Sequence, residues 1–153
     1  MNKGSTLKTL QLIYKALLMG QVLFAGIVVF IRAKGFSIEN AVDENTSRIL
    51  QIVALVTGFG CLWFGMHFYR KRIAEIREAN MAAPEKLKQY QAASIIKWGL
   101  TEGPCLFCIV GYFLTGNWSF LALAGIIIFV FAGYNPQKSL VMRELGLAED
   151  ELQ

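Results

Sequence analysis

Four long blocks of apolar residues determine what this chain can fold into. They cover residues 10–31, 49–69, 92–114 and 118–134, with short polar connections between them. A helix needs about 20 residues, with a range of roughly 17–25, to cross the hydrocarbon core of a bilayer. None of the blocks alternates apolar and polar residues as a β-barrel strand does, and each block is too long to be such a strand. The pattern predicts one all-α domain, an integral membrane four-helix bundle.

The composition agrees with this prediction. The 153 residues are 55% hydrophobic and 17% charged, whereas a soluble domain is about 45–50% apolar and about 25% charged. This balance excludes a disordered chain, a coiled coil and an ordinary cytosolic enzyme. The sequence shows no nucleophile–base pair, metal-ligand cluster or phosphate-binding loop. We therefore expect the lipid bilayer as a partner, and neither enzyme activity nor a cofactor or metal.

The basic residues around the blocks predict the orientation. Cytoplasmic loops of membrane proteins carry an excess of Lys and Arg. Ten such residues lie before the first block, in the loop over 70–91 and in the tail over 135–153, against three in the other two connections. Both termini and loop 70–91 are therefore predicted to be cytoplasmic, in a multi-pass protein of a bacterial inner membrane. The net charge of +4 is then a topology signal, and we expect no nucleic acid as partner.

The second loop and the tail have helical character. Loop 70–91 has helical periodicity, and Pro84 followed by Glu85 is typical of the first turn of a helix. Helix two is therefore predicted to extend into the cytoplasm, to turn near residues 80–83 and to return as helix three. The tail is predicted either to form a short surface helix, anchored by leucines, or to be solvated. Those leucines are Leu140, Leu145 and Leu147.

The remaining features concern connections and lysines. Residues 36–47 are predicted to form a short external loop, and the tight link at 115–117 makes helices three and four antiparallel neighbours. Lys15 and Lys97 each lie near the cytoplasmic end of a block. Long lysine stems can reach outward from such positions to water, so we expect both side chains to do so.

Glu102 is the candidate functional residue, because it lies near the middle of the third block. A charge at the bilayer centre costs at least about 2.5–3.5 kcal/mol on insertion scales, and desolvation favours the neutral acid. The hypothesis is a proton-binding site, with Thr101 beside the carboxyl group. Na⁺ is less favoured, because its ligand cage needs more oxygens than Thr101 and Thr57 offer. The alternative is a structural hydrogen bond to a neighbouring helix, through Thr57 or Gln21.

Small residues accompany Glu102. Gly99 and Gly103 flank it at a spacing of four, and Thr57, Cys61 and Gly65 repeat the same spacing in the second block. This spacing lets helix backbones approach closely. It predicts tight helix packing around the carboxyl group, within one chain or between chains of a homo-oligomer or a membrane complex.

Cys105 and Cys108 form a C-x-x-C sequence after Pro104. This run is similar to that of the four-helix, quinone-linked membrane proteins that generate disulfides, which use a second cysteine pair in an external loop. The other cysteine here, Cys61, lies inside the second block. Small-residue packing is therefore the favoured interpretation, and redox activity is the alternative.

The pair Pro84-Glu85, followed by residues 99–110 (GLTEGPCLFCIV), is similar to the second half of the proteolipid (c) subunit of rotary ATP synthases. In that family a Pro-acidic pair in the cytoplasmic loop precedes an intramembrane carboxylate by about this distance. The resemblance implies that Glu102 is protonated while lipid shields it and ionised at a stator channel. Ala82 and Ala83 replace the family's Arg-Asn/Gln before the proline, and the carboxylate lies in helix three instead of an even-numbered helix.

Two functions follow from these observations. The first is a proteolipid-like subunit in which Glu102 binds a proton. The second is a structural or accessory subunit of a membrane complex that transports nothing itself. A small homo-oligomeric transporter is a third, weaker alternative.

Overall fold

The structure, a computed structural model, describes residues 3–35 and 42–147, with side chains from Thr6 onward. These residues form five helices and no strand, so the all-α prediction is confirmed. The helices are α1 Lys3–Ala33, α2 Glu44–Glu78, α3 Ala83–Thr115, α4 Trp118–Ala132 and α5 Lys138–Leu145.

Three helices, α1 to α3, are long and apolar enough to cross a membrane. The fourth apolar block forms a shorter helix than residues 118–134 predict, because α4 has 15 residues. At 1.5 Å per residue it is about 22 Å long, against roughly 30 Å for a hydrocarbon core. The Tyr14 hydroxyl caps this helix, since it donates a 2.7 Å hydrogen bond to the carbonyl of Ala132. Pro136 follows four residues later.

Helices α2 and α3 form a long hairpin. Asp43 caps the start of α2 by accepting a hydrogen bond from the backbone N–H of Thr46. The chain turns at residues 79–82, and Pro84 lies in the first turn of α3, as its sequence position predicts. The external loop predicted over 36–47 is shorter than expected, because α2 begins at Glu44, and residues 36–41 lie outside the described part.

Helix α3 is the centre of the molecule, since α1, α2 and α4 all pack against it. The rings of Tyr14 and Trp98 lie 5.5 Å apart at one end of the α1–α3 contact. At the other end, Arg32 donates a hydrogen bond to the carbonyl of Phe113. The two helices therefore run in the same direction. Arg32 also supplies a positive charge and a donor to the C-terminal carbonyls of α3, which stabilises that helix end.

The buried side chains form two clusters. The first cluster lies between α3, α4 and the adjacent parts of α1 and α2. Its buried members are Val28, Ala54, Cys105, Cys108, Ile109, Tyr112, Phe120, Leu123, Ala124 and Ile127. The second cluster lies at the α5 end of the molecule. Its buried members are Leu10, Tyr14, Tyr69, Ile73, Ile76, Leu87, Tyr90, Ala93, Trp98, Phe131, Val141 and Leu145.

The position of α5 distinguishes between the two predictions for the tail, a short surface helix or a solvated segment. Val141 and Leu145 are fully buried in the second cluster, with Leu147 packed beside them. The residues from 138 to 145 therefore form a docked helix and not a solvated tail. Residues 148–153 lie outside the described part of the chain.

Candidate functional site

Glu102 lies half-buried on an outward face of α3. Gly99, Gly103 and Ile96 on the same side of the helix are exposed. A Cβ atom added to either glycine would meet nothing within 4 Å. The Glu102 carboxyl group makes no hydrogen bond or ion pair with any residue that the structure describes. The side chain thus lies at the edge of the packed side of α3, between the buried Cys105 and the exposed Gly99.

The polar residues expected near Glu102 point elsewhere. Thr101 is buried, and its hydroxyl donates a 2.9 Å hydrogen bond to the carbonyl of Lys97. Thr57 is exposed, and its hydroxyl donates to the carbonyl of Val53 at 2.6 Å. Gln21 is fully buried, and neither its amide nitrogen nor its amide oxygen has a hydrogen-bond partner. The alternative to a proton-binding role for Glu102 was a structural hydrogen bond to a neighbouring helix. Neither Thr57 nor Gln21 supplies that hydrogen bond.

The small residues divide into two groups. Gly65 of α2 is buried, and a Cβ atom there would touch Leu100 of α3 at 3.5 Å. Gly65 therefore allows the close approach of α2 and α3 within the chain, and Cys61, one turn away, is half-buried. Gly99 and Gly103 lie on the surface instead, so packing through them remains a prediction about a second chain.

The cysteines are free thiols in the described structure. Cys105 and Cys108 are fully buried on the side of α3 that packs against α4. The Cys105 thiol lies 3.9 Å from the carbonyl oxygen of Ala124. Their positions fit the packing interpretation of the C-x-x-C sequence.

Lys97 occupies a different place from the one that its sequence position predicts. Its side chain is only 7% exposed, so the prediction that it reaches outward to water is wrong. Nζ lies 3.6 Å from the centroid of the Tyr69 ring and 4.5 Å from that of Tyr134. The negative faces of aromatic rings attract a cation at these distances. The ammonium group is held inside because tyrosines from α2 and from the end of α4 enclose it.

A cavity of about 220 Å³ adjoins this lysine. We call it the Lys97 cavity, and its polar lining includes Tyr69, Arg70, Tyr90, Ser94, Lys97 and Glu144. Glu144 comes from α5 and accepts a 2.7 Å hydrogen bond from the Tyr69 hydroxyl. Three helices, α2, α3 and α5, together with the segment after α4 thus contribute to one polar cluster and its aromatic walls at the α5 end of the molecule.

Sequence reasoning missed this cluster, although a signal for it exists. Tyr69, Tyr90 and Tyr134 each lie at the predicted cytoplasmic end of an apolar block. Tyrosines concentrate at membrane interfaces, where the ring is apolar and the hydroxyl reaches polar groups. Three such residues at one level, with a lysine among them, indicate an interfacial polar cluster.

Together, the long apolar helices are consistent with a membrane protein, and the two candidate sites are Glu102 and the Lys97 cavity. No family model matches this chain, and no curated protein and no solved structure shows significant similarity to it. In the described residues, no group of three or more His, Cys, Asp or Glu side chains is placed to hold a metal ion.

Proposed function

We propose that this chain is an integral membrane protein in which Glu102 binds and releases a proton, as in a proteolipid-like subunit. The observation that carries the proposal is the half-buried carboxyl group of Glu102, which has no partner among the described residues. An ionised carboxylate without a partner is unfavourable in hydrocarbon, so the group is neutral wherever lipid covers it. A proton-binding role needs such a group, one that is not locked to a permanent cation.

The position of Glu102 also bears on how a proton would leave. The described residues offer the carboxyl group no hydrogen-bond or ion-pair partner, so we expect a polar path to come from a second chain. A neighbouring subunit that brings water or a cation to this face would favour ionisation and proton release. Gly99 and Gly103 leave room beside the carboxyl group for that approach. The resemblance of residues 99–110 to the proteolipid subunit supports the same role.

Labelling with an apolar carbodiimide tests the proposal, because the reagent partitions into the membrane and reacts with a protonated carboxyl group. We expect the full chain in liposomes to be labelled at Glu102, with labelling that decreases as the pH rises through the pKa of the group. Glu102→Gln abolishes the label, and the matched control Glu85→Gln, at an exposed position, leaves it unchanged. An unlabelled Glu102 at every pH would contradict the proposal.

A second candidate function is a scaffold or accessory subunit of a membrane complex. The observation that favours it is the exposed pair of glycines at 99 and 103, which the packing of this chain does not use. Glycines at this spacing let a second helix approach closely. In this case Gly99→Leu or Gly103→Leu abolishes association in native mass spectrometry, whereas Gly60→Leu, at another exposed glycine, does not. Glu102→Gln would then leave transport in proteoliposomes unchanged.

A further inference from the structure

The Lys97 cavity is lined by hydrogen-bond donors that have no acceptor among the described residues. The Lys97 ammonium group carries three N–H donors, and none of them makes a hydrogen bond with a described residue. Its contacts are the faces of two tyrosine rings. Trp98 also lines the cavity and is 1% exposed, and no residue in the described part of the chain accepts a hydrogen bond from its indole N–H. Buried donors of this kind are unfavourable unless a ligand or water accepts their hydrogen bonds.

The charges around the cavity favour an anion. Arg70 and Lys97 contribute two positive charges to the lining, and Glu144 contributes one negative charge. Glu144 and Lys97 are not within ion-pair distance, and the carboxylate accepts a hydrogen bond from Tyr69 instead. The lysine therefore has no direct counterion among the described residues.

A wider groove adjoins the cavity and supplies a way in. It has a volume of about 470 Å³ and shares Arg70 and Glu144 with the cavity. Arg77, Arg143 and Glu78 also line it. Its basic residues outnumber its acidic residues, so an anion that enters from this side meets a favourable potential.

We propose that the Lys97 cavity binds a phosphate group, with the Lys97 ammonium and the Trp98 indole N–H as donors and Arg70 at its mouth. A phosphate offers several acceptor oxygens to converging N–H and O–H groups. Ser94, which is 2% exposed, also lines the cavity, where its side chain is paired with that of Tyr90. Basic pockets between transmembrane helices on the cytoplasmic side recognise lipid head groups, so the phosphate belongs either to such a head group or to a soluble phosphate compound.

Fluorescence of Trp98 reports on the cavity directly. The chain has three tryptophans, and the other two, Trp63 and Trp118, are exposed. The double variant Trp63→Phe, Trp118→Phe therefore leaves Trp98 as the sole reporter. We would place this full-length variant in phosphatidylcholine nanodiscs and titrate it with inorganic phosphate at constant ionic strength. A second series would replace part of the phosphatidylcholine with phosphatidic acid.

We expect a saturable change in Trp98 emission in at least one series. A response to phosphatidic acid alone assigns the site to a lipid head group, and a response to inorganic phosphate assigns it to a soluble compound. In the responding series, Lys97→Met weakens binding by at least about tenfold, because an apolar side chain of similar length removes the charge and keeps the packing. Lys88→Met, at an exposed lysine away from the cavity, leaves the titration unchanged.

Arg70→Gln is the second test variant, since this exposed residue is not needed for the core. It also weakens binding, by a smaller factor than Lys97→Met. The proposal is overturned if neither probe gives a saturable change. It is equally overturned if Lys97→Met and Arg70→Gln both titrate like the parent, or if Lys88→Met weakens binding as much as they do.

Discussion

The Tyr69 hydroxyl donates a 2.7 Å hydrogen bond to Glu144, which joins α2 to α5 across 75 residues of sequence. The same tyrosine ring lies 3.6 Å from Nζ of Lys97. One side chain thus contacts α5 through its hydroxyl and the Lys97 ammonium group through its ring. The docking of α5 therefore rests on this polar contact as well as on the buried Val141 and Leu145.

Replacing Tyr69 with Phe separates these two roles. The ring beneath Lys97 remains, whereas the hydrogen bond to Glu144 is lost. A hydrogen bond to a charged group contributes about 1.5–3 kcal/mol, so we expect α5 to undock at least about tenfold more often. Tryptic cleavage after Arg143 measures this opening. Tyr112→Phe, at the opposite end of α3, is the control, and equal cleavage rates in the two variants would contradict the prediction.

Gly111 of α3 packs directly against the Phe120 ring of α4. A Cβ atom on Gly111 would lie 2.7 Å from the Phe120 ring. We expect Gly111→Ala to destabilise the chain by about 1–3 kcal/mol, because the well-packed ring has to move. Thermal unfolding in detergent measures the change. Gly125→Ala, with nothing within 4 Å, is expected to be neutral or to stabilise α4 by up to about 1 kcal/mol.

Gln21 is a buried amide without partners, and this predicts an unusual mutational effect. Gln21→Leu removes two desolvated polar groups and keeps most of the side-chain volume, so we expect stabilisation by about 1–3 kcal/mol. Gln11→Leu is the matched control. Gln11 donates a 3.0 Å hydrogen bond to the carbonyl of Pro136, so its replacement is expected to destabilise the chain. Chemical unfolding in detergent measures both, and a destabilised Gln21→Leu would contradict the prediction.

Asp43 makes the start of α2 sensitive to acid. The Thr46 hydroxyl and backbone N–H donate to its carboxylate and lower the pKa of Asp43 below its ordinary value. Because the pKa of Asp43 is lower in the folded state, the cap contributes its full stabilisation of α2 at pH values above the unfolded pKa of about 3.9. The stabilisation is lost as the pH falls through the folded value.

Hydrogen exchange at the first turn of α2 measures this acid sensitivity. We expect the protection factor of the Thr46 amide to fall as the pH drops below about 3.9. Asp43→Asn supplies a cap that does not titrate, so the same amide should keep its protection in that variant. A parallel loss of protection in both chains would show that another group titrates.

Local sequence patterns predicted much of the helical framework. The α2–α3 turn follows from the periodicity of loop 70–91 together with Pro84, because helix starts depend on nearby residues. The length of α4 could not be predicted from the local sequence. The predicted block ran on through Gly133 and Tyr134, but α4 ends at Ala132, whose carbonyl accepts a hydrogen bond from the Tyr14 hydroxyl of a distant helix.

The sequence by itself determined that the chain is helical, where its apolar helices lie, and that Glu102 and Lys97 both fall inside an apolar block. Only the tertiary structure decided that Glu102 is half-buried without a partner among the described residues and that Lys97 is enclosed by two tyrosine rings. The physical reason is that a helix apolar on all sides has no polar stripe to indicate which face meets its neighbours. The contacts of α3 with α1, α2 and α4 set its rotation, and that rotation places the two side chains.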